Sequence, residues 1–218
     1  MGFTFEIIDN FIDSCDSEYI TDHYRDKLTP SCVIGDMSLR NSDDFFIDSH
    51  NILDTKLSEI INNIKIKISD FSNLPLENQE TLTLIKYSPG QYFKPHLDAF
   101  QNYDEFDIED LLGGQRLKTF IICLKSSVRG GETKFDRIDK SVKLQQGQCI
   151  WWENVNELGD IYYDSLHSGE TPIEGDKWIL TCWIRQRKYY PISRDFAKQI
   201  IEKYSKQILI NTLENLKK

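Results

Sequence analysis

The 218-residue chain has little histidine, glycine or proline: four His, 11 Gly and 6 Pro. So few Gly and Pro exclude a collagen-like or mucin-like chain, and a wholly disordered one. Nowhere does an apolar run approach the ~18 residues of a membrane-spanning helix, so none is expected. The start, Met1 to Glu6, carries neither a basic segment nor an apolar run, so no signal peptide is expected. Positive charge is also short. Lys and Arg number 26 against 35 Asp and Glu, a net charge of −9, and the cations are scattered. Without a basic stripe to release counterions, neither a nucleic acid nor an anionic membrane is an expected partner. The five cysteines, at 15, 32, 123, 149 and 182, are odd in number and form no CxxC pair. Three of them lie in apolar, strand-like runs, which reads as reduced thiols in a cytoplasmic setting rather than a disulfide framework.

What is present is the mixture of a globular protein, 39% hydrophobic and 28% charged. At this length about 70% of the unfolded chain's surface is buried on folding, enough for a core without staples. No repeat or low-complexity linker interrupts the chain. It reads as a single domain over 1–218, with a strand and helical support over 1–80, a β-rich core over 81–187 and a C-terminal helix over 188–218. Residues 3–8 read as a strand, and Asp13 or Ser14 caps a helix running to about Lys27. Leu57, Ile60, Ile61, Ile64, Ile68 and Phe71 fall at helical spacing behind Asp54, a second cap. Then the texture changes. Short β-rich runs at 81–87, 91–96, 117–124, 132–135, 141–144, 148–152 and 177–185 alternate with glycine turns. The class is α+β, mainly β, a sandwich or barrel. An acidic stretch over 102–110 has no period and reads as a loop, either a substrate-facing flap or a solvated insertion.

His96-Leu97-Asp98 follows the run 91–95. If that run is extended, positions i and i+2 share a face with Cα atoms roughly 7 Å apart, so both side chains can reach one ion. On a helix they would diverge by about 200°. His167 ends another short run, over 162–167. Two His and one carboxylate occupy one face of an octahedral iron(II) and leave three positions for chemistry. A closed zinc site would want a fourth ligand, and no cysteine stands at ligand spacing. Lys177 opens an apolar strand. There it either snorkels to water or meets an anion, such as the distal carboxylate of a dicarboxylic cosubstrate.

From Ile64 to Arg185 the chain resembles the prolyl 4-hydroxylase branch of the iron(II) and 2-oxoglutarate-dependent dioxygenases. The matching stretches, in order, are Ile68–Phe71 through Pro75–Asn78, Tyr87–Asp98, Gly113–Arg116 with Thr119, Gly130–Phe135, Ser165–His167, and Gly175–Trp178 leading to Trp183-Ile184. Arg40-Asn41-Ser42 looks like the family's Arg-x-Ser segment. The resemblance implies a double-stranded β-helix, a jelly roll with the metal in its mouth and helices packed outside. It implies His96, Asp98 and His167 as iron ligands and Lys177 as the partner of the 2-oxoglutarate C5 carboxylate. Tyr87 and Thr119 become neighbours of the cosubstrate, Trp183 the pocket floor, and Arg116 an aid to substrate positioning. Ascorbate is the expected reductant, and a proline-containing peptide or protein the expected substrate. Tyr92, Phe93, Trp151, Trp152 and Trp183 are available as an aromatic wall for it. One departure is Phe93, where the family often has Tyr; another is the acidic loop. Two rival readings stand beside this one. Nucleic-acid demethylases share the triad, but that subgroup typically holds the carboxylate with Arg where this chain has Lys177. In a non-catalytic β-sandwich binding module, both histidines would be ordinary residues.

Overall fold

The computed structural model describes residues 2–31, 39–101 and 113–191. Cys32, the acidic stretch 102–110 and residues 192–218 of the expected C-terminal helix lie outside the described residues, while 188–191 are described and are not helical. The chain opens with β1 (Phe5–Ile8), α1 (Ser14–Tyr24), β2 (Thr29–Pro30), β3 (Arg40–Asn41), β4 (Asp43–Ile47) and α2 (Thr55–Ser72). Next come β5 (Leu82–Tyr87), β6 (Tyr92–His96), β7 (Arg116–Lys125), β8 (Arg129–Gly130), β9 (Thr133–Phe135) and β10 (Lys140–Val142). The described part closes with β11 (Cys149–Glu153), β12 (His167–Gly169), β13 (Pro172–Glu174) and β14 (Lys177–Arg185).

Both helices start where a side-chain oxygen satisfies the first free amides. Asp13 accepts from Asp16 N at 2.7 Å, and Asp54 from Leu57 N at 2.8 Å. Asn73, in the left-handed conformation at φ +54°, ends α2. The periodic positions Leu57, Ile60, Ile61, Ile64 and Ile68 are buried, each contributing roughly 1.5–3 kcal/mol of transfer free energy. Phe71, expected with them, is 44% exposed, its ring tilted against Phe11 with centroids 5.9 Å apart.

Among the described residues the strands form a seven-stranded sheet, ordered β1-β11-β7-β14-β5-β4-β2, and a five-stranded sheet, ordered β10-β9-β12-β6-β3; β13 and β8 make a small ribbon. All pairings are antiparallel, as a jelly roll requires. Strand alternation sorts the large sheet into two faces. Leu82, Leu84, Phe120, Ile122, Leu180, Cys182 and Ile184 pack with α1 and α2. Ile85, Tyr87, Ile121, Cys123 and Ile179 turn the other way, joining Phe135 of the smaller sheet. The four cysteines among the described residues are free thiols, with Cys123, Cys149 and Cys182 buried. No helix among the described residues is long and apolar enough to cross a membrane. Three strands unforeseen in the sequence, β2, β3 and β4, extend the two sheets ahead of α2.

Candidate active site

The cleft lies between the two sheets, and each wall contributes a different chemistry. On the smaller sheet, β12 runs between β6 and β9, with His167 directly opposite His96 and their ring centroids 4.3 Å apart. His167 begins β12 rather than ending a strand; the run expected before it is a 3-10 turn over Tyr163–Ser165. Nor are His96 and Asp98 two positions of one strand. β6 stops at His96, and Asp98 sits in the bend beyond it. The convergence survives this change: the ligand atoms of His96, Asp98 and His167 all lie within 4.8 Å of one another. Asp98 Oδ1 is 3.6 Å from His96 Nε2, and Oδ2 is 3.7 Å from His167 Nε2.

Tautomers decide whether this cluster suits a cation. His96 Nδ1 lies 2.9 Å from the Lys94 carbonyl, and His167 Nδ1 lies 2.8 Å from the Ser165 carbonyl. A carbonyl only accepts, so each Nδ1 carries a proton, and Nε2 is the nitrogen that each ring turns toward Asp98's side of the cleft. Burial, reinforced by His167, pushes the pKa of His96 down to about 3, against the pull of Asp98, so the ring is neutral near pH 7. Burial alone would raise the Asp98 carboxyl. The rings of His167 and His96, the Arg116 guanidinium and the Thr119 hydroxyl outweigh it, and the net shift is downward. Two imidazoles and one carboxylate, with open space beside them, fit a divalent metal that keeps free positions.

The larger sheet supplies the opposite wall. Lys177, Ile179, Thr181 and Trp183 alternate along β14 into the cleft, with Tyr87 from β5 and Thr119 from β7. Lys177 stands opposite Tyr87 in register, its Nζ 5.8 Å from the tyrosine ring. It is 5% exposed, and among the described residues its Nζ has no hydrogen-bond or ion-pair partner. Burial lowers its pKa to about 8, against the pull of Cys123, Glu132 and Glu170. Gly131 makes room beside it. At φ +78°, a Cβ there would fall 2.6 Å from Ser127 Oγ and 3.5 Å from Lys177 Cδ. Tyr87 is buried, which raises its pKa against the nearby Arg40 guanidinium. Thr119 lines the cleft but gives its hydroxyl proton to Asp98 Oδ2, at 2.7 Å.

Arg116 is engaged elsewhere. Nε and Nη2 donate to the two Glu80 oxygens at 2.7 and 2.9 Å, and the guanidinium lies 3.9 Å over the Trp183 ring. It does not line the cleft, so it meets a substrate there only through Trp183. Arg185 is its cross-strand partner, with Nε 2.5 Å from Glu80 Oε1. Two like charges placed opposite each other repel, and Glu80 between them offsets this. Burial works against the charge of Arg116, but Glu80 outweighs it and holds its pKa above the ordinary arginine value. Of the five aromatics considered for a substrate wall, Phe93 and Trp183 line the cleft. Trp152 is fully buried, and Trp151 stacks on Phe120. Phe93 lies flat on His96, centroids 3.6 Å apart. Arg40 also reaches the cleft, 5.1 Å over Phe93 with Nε bonded to Ser42.

Similarity to known proteins agrees with this geometry. The 2OG-Fe(II) oxygenase superfamily matches residues 82–185, a span holding His96, Asp98, His167 and Lys177. Probable prolyl 4-hydroxylase 6 of Arabidopsis thaliana is 30% identical over 199 residues, covering 82% of this chain and 68% of the relative. This chain belongs to the prolyl 4-hydroxylase family of 2-oxoglutarate- and iron(II)-dependent oxygenases. It is a dioxygenase. Prolyl 4-hydroxylase 1 of the same plant is 35% identical over 141 residues, 59% of this chain and 48% of its own length. Among solved structures, the viral collagen prolyl hydroxylase of Paramecium Bursaria Chlorella virus-1, in its 2OG complex, superposes with a TM-score of 0.64. It is 26% identical and covers 83% of this chain and 94% of its own. A Pseudomonas putida prolyl-4-hydroxylase shares the fold at 17% identity, with a TM-score of 0.58 over 85% of this chain and 94% of its own. Within the prolyl 4-hydroxylase fold of this chain, sequence reasoning missed Glu80. Its one signal was a carboxylate heading an apolar strand, with arginines at the start of β7 and the end of β14.

Proposed function

We propose that this dioxygenase is a prolyl 4-hydroxylase, hydroxylating a prolyl residue of a peptide or protein with O2 and 2-oxoglutarate and releasing succinate and CO2. The observation that carries the reading is the meeting of a His-Asp-His cluster with an unpartnered buried ammonium in one cleft. His96, Asp98 and His167 would hold the ferrous ion. When bound, that ion supplies the oxidising chemistry, with 2-oxoglutarate as co-reductant of O2. Lys177 pairs with the distal carboxylate of the cosubstrate, and such charge-assisted contacts are about twice as strong as neutral ones. Tyr87, beside it, adds a hydroxyl to the same end. Ile85, Ile121 and Ile179 keep the intervening wall apolar, so the cosubstrate enters in one orientation and water is kept from its middle. Phe93 and Trp183 bring aromatic rings to the cleft lining, suited to an apolar pyrrolidine ring. An extended proline-bearing segment has little backbone entropy to lose on docking there. Arg116 positions the substrate indirectly, by fixing the plane of Trp183. Ascorbate is the proposed reductant for idle enzyme, and the free buried thiols favour a reducing, cytoplasmic setting. The net charge of −9 argues against a nucleic-acid substrate.

The test is mass spectrometry of proline-containing peptides incubated with the protein, iron(II), ascorbate and 2-oxoglutarate. The expected result is one added oxygen on proline, with stoichiometric succinate. His96→Ala and His167→Ala should each abolish succinate release while the protein stays folded by circular dichroism. Full turnover in either variant removes the metal assignment, and oxidation of another residue type removes the proline assignment.

A further inference from the structure

We propose that Asn154 is a positioning residue of the metal site, acting through Thr119 to fix the Asp98 carboxylate, with Trp152 setting the direction of the relay. The inference rests on the reading of His96, Asp98 and His167 as metal ligands.

Asp98 needs such a device. The two histidines are locked by strand pairing and by backbone carbonyls on their Nδ1 atoms. Asp98 lies beyond the end of β6, where no ladder holds it. What holds its side chain is a chain of three hydrogen bonds running through the interior. Trp152 Nε1 donates to Asn154 Oδ1 at 2.9 Å, Asn154 Nδ2 donates to Thr119 Oγ1 at 2.9 Å, and Thr119 Oγ1 donates to Asp98 Oδ2 at 2.7 Å. Trp152, Asn154 and Thr119 are completely buried, and Asp98 is 5% exposed.

Donor and acceptor chemistry leaves this chain a single polarity. An indole N–H can only donate, so the Asn154 atom facing it must be the amide oxygen. That choice turns the NH2 group toward Thr119. A threonine hydroxyl has one proton; accepting from Asn154, it must direct that proton elsewhere, and Asp98 Oδ2 is the acceptor in reach. The donor-only indole thus propagates one direction across three side chains to the carboxylate. Oδ2 is committed as an acceptor, and the rotamer of Asp98 is fixed before any ion arrives. Trp152 has a second hold on the site, its ring edge-on to His167 with centroids 4.7 Å apart. The strand register explains how the parts meet: Trp152 on β11 pairs with Thr119 on β7. Buried polar chains are costly unless complete, and this one is complete at every link.

The test measures cobalt(II) binding to the metal-free protein by calorimetry and by its visible absorption, with no proline substrate present. Partners that orient metal ligands typically contribute 10–100-fold in affinity. Thr119→Val and Asn154→Leu, each close in shape, should each weaken cobalt binding about tenfold or more. The double variant should be no weaker than Thr119→Val alone, because Asn154 acts only through Thr119. Unchanged affinity in Asn154→Leu, or full additivity in the double variant, overturns the proposal. Should Asn154→Leu fail to fold, Trp152→Phe keeps the aromatic wall but removes the leading donor. It should weaken binding several-fold and shift the cobalt absorption, and wild-type behaviour there overturns the proposal equally. His96→Ala run in parallel separates the two levels: if it binds cobalt like wild type, the metal reading itself has failed.

Discussion

Lys177→Met should make the empty protein more stable and the cosubstrate bind more weakly. Methionine has a similar length and no charge, so it fills the same space along β14. The buried ammonium of Lys177 has no partner among the described residues, and its pKa falls from 10.5 to about 8 mainly through burial. That fall corresponds to about 3 kcal/mol by which the folded state disfavours the charged form. Removing the charge should therefore recover roughly 1–3 kcal/mol at pH 7, allowing for imperfect packing of the thioether. In a domain of this size that raises Tm by roughly 3–10 °C. The sign of the pH dependence follows. Between about pH 8 and 10.5 the unfolded chain binds the proton that the folded one has lost, so wild-type stability gains with rising pH in that window and the variant lacks this gain. The second half of the prediction points the opposite way. A charge-assisted contact to a carboxylate contributes roughly 1.5–3 kcal/mol, so KM for 2-oxoglutarate should rise roughly 10–100-fold. Thermal melts of the metal-free protein and succinate assays across 2-oxoglutarate concentration measure the two effects. A variant less stable than wild type, or one with unchanged KM, refutes the account of Lys177 as an anchor held in reserve for an anion.

Two further outcomes follow from buried charges. Glu80→Gln leaves Arg116 and Arg185 facing each other without a carboxylate and should cost about 3–5 kcal/mol in urea unfolding; a loss under about 1 kcal/mol would mean that the pair is screened by solvent. Because burial holds His96 neutral with a pKa of about 3, the unfolded state binds an extra proton below the ordinary value of 6.5. The metal-free protein should lose stability as pH falls from there toward 3, and His96→Gln should have a shallower slope. Identical slopes in the two proteins would contradict the assignment.

Much of the architecture was legible because alternation and turn residues are local signals. Asp54 capping α2, the apolar face from Leu57 to Ile68 and the long strands β7 and β14 stand in the sequence almost to the residue. The metal cluster was legible too, although by a partly mistaken route. His96 and Asp98 were placed on one strand, whereas the strand stops between them and a hydrogen bond from Thr119 replaces the missing ladder. What stayed hidden depends on register between distant segments. Arg116 looks free to meet a substrate until β7 and β14 are aligned and Arg185 comes up opposite it, with Glu80 between. Trp152 looks like a candidate for the cleft until β11 is paired and its indole is found in the interior. β4, with two aspartates at its head, carries too weak an apolar signal to announce a strand. It becomes one because β5 offers it a full edge.

The two-sidedness of β14 divides the freedom of this protein to change. Leu180, Cys182 and Ile184 answer to the helices behind the sheet, while Ile179, Thr181 and Trp183, one step along, answer to whatever enters the cleft. Lys177 and Ile179 are tied to the anchor and to the inner core, which leaves Thr181 and Trp183 as the β14 positions where an exchange bears first on which guest is admitted. A lineage, or an engineer, seeking a new substrate for the same oxidation has two adjoining dials on one strand.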